Sequence, residues 1–86
     1  MSPTIIITEC KSPWGKYWAF NIKGTGERVA EVDRTEGGYT IFAGSLHRQV
    51  GKRSGKDSAF SFAKRCILDR FPEAEFKHNV IVRVIR

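Results

Sequence analysis

The chain is expected to be a small α+β domain in which an antiparallel or mixed sheet of about five short strands, in the order β-β-β-β-α-β, packs on one helix. Three observations predict this. Short alternating stretches are separated by glycine turns, one stretch follows the helical period, and 86 residues with 41% hydrophobic content suffice for one core but not two. Two Trp, two Tyr and six Phe supply enough apolar surface to offset the entropy of ordering the chain, so residues 1–86 are expected to form a single folded domain.

Thr4 to Glu9 is rich in β-branched residues and ends near Ser12-Pro13, which predicts a first strand. From Lys16 to Lys23 the alternation is clear, with Trp18, Phe20 and Ile22 on one face and Tyr17, Ala19 and Asn21 on the other. Gly24-Thr25-Gly26 provides a hairpin turn, and Glu27 to Asp33 returns as a partly exposed third strand. Gly37-Gly38 makes the next turn into Tyr39 to Ala43, with Tyr39 and Ile41 opposite Thr40 and Phe42. Hydrophobic periodicity then fades from Gly44 to Gly55, which reads as a loop.

Ser54, with Asp57 three positions on, has the spacing of a helix cap, and the helix is expected from about Lys56 to Arg70. At 3.6 residues per turn, Ala59, Phe60, Phe62, Ala63, Cys66, Ile67 and Phe71 share one broad face, opposite Ser61, Lys64, Arg65 and Asp69. Pro72 ends the helix. Asn79 to Ile85 alternates again, and its two largely apolar faces suggest a strand inside the sheet, beside the first.

The longest apolar run is Ile5-Ile6-Ile7, far short of the roughly 18 residues of a membrane span. The N-terminus lacks the features of a secretory signal, so a cytoplasmic location is expected, with Cys10 and Cys66 as free thiols. Charge is the most informative bulk property. Residues 1–43 carry Lys11, Lys16, Lys23, Arg28 and Arg34 against Glu9, Glu27, Glu31, Asp33 and Glu36, which is net zero. The whole net charge of +6 therefore belongs to residues 44–86, where ten basic groups face only Asp57, Asp69, Glu73 and Glu75. Such asymmetry points to a polyanionic or acidic partner.

The segment His47-Arg48-Gln49-Val50-Gly51-Lys52-Arg53-Ser54-Gly55-Lys56 has four Lys or Arg, two interior glycines and no acid, and it leads into a helix start. Free N–H groups there favour an anion, and each cation that meets a phosphate releases counterions. Arg48, Lys52, Arg53 and Lys56 are thus candidate phosphate contacts, and Lys64 and Arg65 could extend them along the helix. The competing reading is a solvated basic loop and a solvated helix face, with Asp57 already occupying the helix start. Trp14, Tyr17 and Tyr39 are candidate base-stacking residues, or with Leu68 a patch for a protein partner.

Known catalytic and cofactor patterns fail. A nucleotide-binding P-loop would need Gly where Val50 stands and Ser or Thr where Asp57 stands, and Gly24-Thr25-Gly26 lacks the third glycine of a dinucleotide fingerprint. His47 and His78 show no metal-ligand spacing with each other or with the cysteines. No catalytic residue, metal or cofactor is expected.

Pro13-Trp14-Gly15-Lys16, followed by Ala19 and Ile22, resembles the first strand of the plant-type AP2 DNA-binding domain, whose three-stranded sheet packs on one helix as in the arm-binding domain of phage integrases. The strands added at both ends and the long segment before the helix depart from that pattern, so no base-reading residues carry over and the chain is not assigned to that family. Two functions are expected to compete. One is a small non-enzymatic accessory or regulatory protein that grips DNA or RNA by its phosphates. The other is a protein-binding regulator, such as a phage-encoded inhibitor of a host nuclease or defence complex in the manner of an anti-CRISPR, docking on an acidic surface.

Overall fold

A computed structural model describes residues 2–53 and 55–85. Along the described chain run β1 (Thr4–Ser12), β2 (Gly15–Ile22), β3 (Arg28–Thr35), β4 (Gly38–Ala43), β5 (Leu46–Gly51), α1 (Gly55–Arg70), β6 (Glu75–His78) and β7 (Arg83–Val84). The fold is α+β, a mixed sheet packed against one helix, with strand order β5-β4-β3-β2-β1-β6 and the short β7 also paired to β1. β1 to β5 form an antiparallel meander, whereas β6 and β7 run parallel to β1. A parallel partner cannot be reached by a hairpin, and α1 supplies the crossover from one edge of the sheet to the other.

Alternation sorts the strands into two faces. In the β1–β2 register Ile5 lies opposite Ile22 and Ile7 opposite Phe20; in the β2–β3 and β3–β4 registers Trp18 meets Val32 and Val32 meets Ile41. This face carries the core. Ile5, Ile7, Trp18, Phe20, Val29, Ala30, Val32, Ile41 and Ala43 close over Ala59, Phe60, Ala63 and Ile67 of α1. Phe60 sits edge-on to both Trp18 and Phe20, with ring centroids 5.4 Å apart in each case. The helix phase is the one the 3.6-residue period predicts, with Phe62, Cys66 and Phe71 partly buried at its margins. The backbone of α1 approaches β3, β4 and β5 but not β1, β2 or β6.

The structure adds a fifth meander strand where the sequence suggested a loop. β5 follows the two-residue Gly44-Ser45 connection, and Gly44 takes the left-handed conformation (φ 62°) that a primed hairpin turn needs at its first position. β5 is an outer strand with mostly solvated side chains, so it has no reason to alternate strongly. Gly38 holds it close: a Cβ there would meet the carbonyl oxygen of Val50.

The last strand also differs. Of the strand expected over Asn79 to Ile85 only Arg83–Val84 forms, as β7 beside β1 at the sheet edge, and most of the pairing to that edge comes from β6 at Glu75–His78, where no strand was expected. Between the pairs Ile7–His78 and Cys10–Arg83, β1 advances three residues while the C-terminal segment advances five. The surplus forms an outward knuckle, held where Asn79 N–H donates to the Ile7 carbonyl (2.8 Å) and Ile81 N–H donates to Asn79 Oδ1 (3.1 Å). Val80 is 95% exposed and Ile81 70% exposed as a result. The cap anticipated at Ser54 lies outside the described residues. No helix among the described residues is long and apolar enough to cross a membrane.

Candidate nucleic-acid interface

The six candidate cations gather around the β5–α1 junction and along α1, but they fall on two sides of the helix. Arg48 pairs with Ile41 across β4 and β5, so it points to the helix-covered face and lays its guanidinium 4.8 Å from the centre of the Phe62 ring. Arg65 lines the same groove of about 420 Å³, together with Asp57, Ser58 and Ser61. Lys52 and Arg53 are exposed in the turn between β5 and α1. On the far side of the helix, Lys56 Nζ lies 5.6 Å from the Trp18 ring and 5.8 Å from Phe60, and Lys64 Nζ lies 5.4 Å from Phe76. The ammonium groups of these two lysines thus lie over aromatic faces, Lys56 exposed and Lys64 half-buried.

Charge pairing leaves these groups free. The ion pairs among the described residues are Lys16–Glu9 (3.7 Å), Arg28–Glu31 (2.7 Å) and Arg70–Glu27 (3.9 Å). None involves Arg48, Lys52, Arg53, Lys56, Lys64 or Arg65. Asp57 shares the groove of Arg48 and Arg65 without reaching ion-pair distance of either.

Folding adds neighbours that the sequence did not suggest. The β1–β2 turn, the β3–β4 turn and the β5–α1 turn meet at one end of the sheet. There Trp14, 89% exposed, shares a depression of about 720 Å³ with Lys16, Arg34, Glu36 and Lys52. Arg34 and Lys16 come from strands far from the basic run in sequence, so only strand pairing could reveal them. Tyr39 belongs elsewhere: it faces the helix, partly buried, with its ring 6.2 Å from Trp18. Tyr17 is on the opposite face of the sheet, and Leu68 is on the exposed side of α1. The structure therefore brings Trp14 to the basic end and does not join Trp14, Tyr17, Tyr39 and Leu68 into one patch.

The uncovered face of the sheet has a different character. Cys10, Tyr17, Ala19, Glu31, Asp33, Thr40 and Phe42 lie on it, with Phe42 stacked on His47 (4.8 Å, 6° between planes). Asp33 Oδ1 is shut off from solvent without a hydrogen-bond partner. Burial first, then the neighbouring Glu31 carboxylate, push the Asp33 carboxyl up to about 7, against a smaller opposing pull from Arg28. Tyr17 is likewise raised, by burial and by its contact with Cys10. This face carries two carboxylates close together and Arg28 is neutralised by Glu31, so it is a poor surface for a polyanion.

Comparison with known protein families, with curated proteins and with solved structures finds no match to this chain.

Proposed function

We propose that this protein is a small non-enzymatic nucleic-acid-binding accessory or regulatory protein that grips the phosphate backbone through Arg48, Lys52, Arg53 and Lys56, extended by Lys64 and Arg65. The observation that carries this reading is that all six cations are free of ion pairs among the described residues, while Glu9, Glu27 and Glu31 are taken up by other basic groups. Each unpaired cation can displace a counterion condensed on the phosphate chain, and release of those counterions to solution supplies the driving force. The exposed Trp14 beside Arg34 and Lys52 supports the same reading, because an aromatic ring within a basic depression can take a base while the cations hold its phosphates.

Replacing Lys52, Arg53 and Lys56 together by Ala tests it. The variant is expected to stay folded and to bind nucleic acid more weakly, with the slope of log affinity against log salt flattened by roughly 2 to 3 units, since each contact releases about 0.7 to 0.9 of a counterion. Unchanged affinity and slope in a folded triple variant would remove this site.

One observation favours a second reading. Val80, Ile81, Val82 and Val84 are exposed together along one edge, and an apolar edge flanked by Lys77 and Arg83 suits a protein partner with an acidic rim, as an inhibitor docking on a nuclease or defence complex would need. Wild-type protein with no salt-dependent affinity for duplex DNA, single-stranded DNA or RNA moves the assignment to that reading.

A further inference from the structure

Because α1 leans over β3, β4 and β5, its outer flank faces β6 through side chains alone, with Phe60 against His78 and Lys64 against Phe76. Beneath these side chains Ile5 and Ile7 of β1 are fully buried, and Phe76 of β6, which pairs with Ile5, is half-buried. His78 pairs with Ile7 on the same side, and its ring is exposed. It lies nearly parallel to Phe60, 6.2 Å between centroids and 10° between planes. Phe60 is itself wedged edge-on between Trp18 and Phe20, so the inner face of the imidazole rests on a fixed support. Lys56 and Lys64 stand one helical turn to either side of Phe60 on the same flank, roughly 12 Å apart at 1.5 Å per residue. Glu9, the acid on this face of β1, is engaged with Lys16.

We infer that the exposed ring of His78, with the helix flank beside it, is a base-stacking site for single-stranded nucleic acid, in which one unpaired base lies against His78 while Lys56 and Lys64 hold the flanking phosphates. This rests on the nucleic-acid reading above and names its substrate class. An exposed flat ring between two ammonium groups matches the pairing of base face and phosphates that single-strand grooves use, and a paired base has no free face to offer. A second platform is available along the same strand pair. Trp14 lies beyond Ser12, five residues on from Ile7, or about 17 Å at the rise of a strand. A strand running from the basic end toward His78 would therefore meet two aromatic rings several nucleotides apart.

Fluorescence anisotropy with a labelled oligothymidylate, and with the same strand annealed to oligoadenylate, separates the possibilities. The wild type should prefer the single strand at equal salt. His78→Ala should weaken single-strand binding by about 5- to 150-fold, the equivalent of one stacked base, with little change in the salt slope and none in duplex affinity. His78→Phe should restore it, which separates stacking from charge, because Phe carries the ring and no proton. His78→Ala that matches the wild type on the single strand, or that weakens both forms equally, overturns the stacking site while leaving the basic cluster standing. A wild type with no salt-dependent binding to either form overturns both together. Circular dichroism of each variant confirms that the comparison is between folded proteins.

Discussion

Asp33 is a carboxyl held where water reaches it poorly and a second carboxylate stands beside it, and the protonated form can donate to Glu31. Its folded value of about 7 lies above the unfolded value of about 3.9, so the folded state binds this proton more tightly. The stability it contributes is full below the unfolded value and is lost as pH rises through about 7. Urea midpoints of the wild type are therefore expected to fall between about pH 5 and about pH 8. Asp33→Asn, which cannot ionise, should flatten that fall; an unchanged pH profile in the variant would assign the dependence to another group. The two thiols offer a second test at this scale. Cys10 is buried on the uncovered face of the sheet and Cys66 lies on the helix, so the sheet separates them and both are free. Thiol titration should count two in denaturant, and Cys66, partly exposed but pushed up by burial and Asp69, should react ahead of Cys10 in the native protein.

For the helix, the two phenylalanines two residues apart are not equivalent. Phe60 is buried between Trp18 and Phe20, so Phe60→Ala should cost about 3 to 5 kcal/mol. Phe62 is only partly buried, under Arg48, and should cost less, with Lys64→Ala near 0.5 kcal/mol or below. Urea unfolding of the three variants reads this order directly. The helix phase and β1 to β4 were legible in the sequence because each buries one face and so alternates or repeats with its own period. β5 was not, because Leu46, His47, Arg48 and Gln49 are all exposed on an outer strand and pairing to β4 is carried by backbone groups that leave no mark on side-chain order. The apolar alternation of Asn79 to Ile85 misled in the opposite sense, since two of its residues are spent on a knuckle. The basic run at Arg48 to Lys56 was legible as charge, whereas Arg34, Lys16 and His78 join the site only through strand pairing. Gly38→Ala tests the hidden strand: crowding Val50 should loosen β5, lower the urea midpoint and speed amide exchange in residues 46–51 ahead of β1 and β2.

The whole molecule divides its labour by surface. The basic junction and the His78 ring lie on the helix side, the carboxylate pair lies on the bare face of the sheet, and the apolar knuckle lies on the β6–β7 edge. Two truncations probe how far that edge supports the rest. Ending the chain after His78 removes mostly exposed residues and should lower the urea midpoint modestly. Ending it after Ala74 also removes Phe76 and His78, opens Ile5 and Ile7 to water and should cost far more. Equal losses would mean that the outer half of the edge, not β6, closes the core.

The parallel seam between β1 and β6 has a consequence for how the chain comes into being. Thr4 finds its partner Glu75 only after the meander and the helix between them have been made, while each meander strand meets a neighbour almost as soon as it is made. Until β6 is made, then, the outer edge of the strand bearing Ile5-Ile6-Ile7 stands open as a template for any other nascent chain. Slow elongation would lengthen that exposure and favour aggregates, so the yield of soluble protein should respond to translation speed more strongly than the stability of the finished fold would suggest.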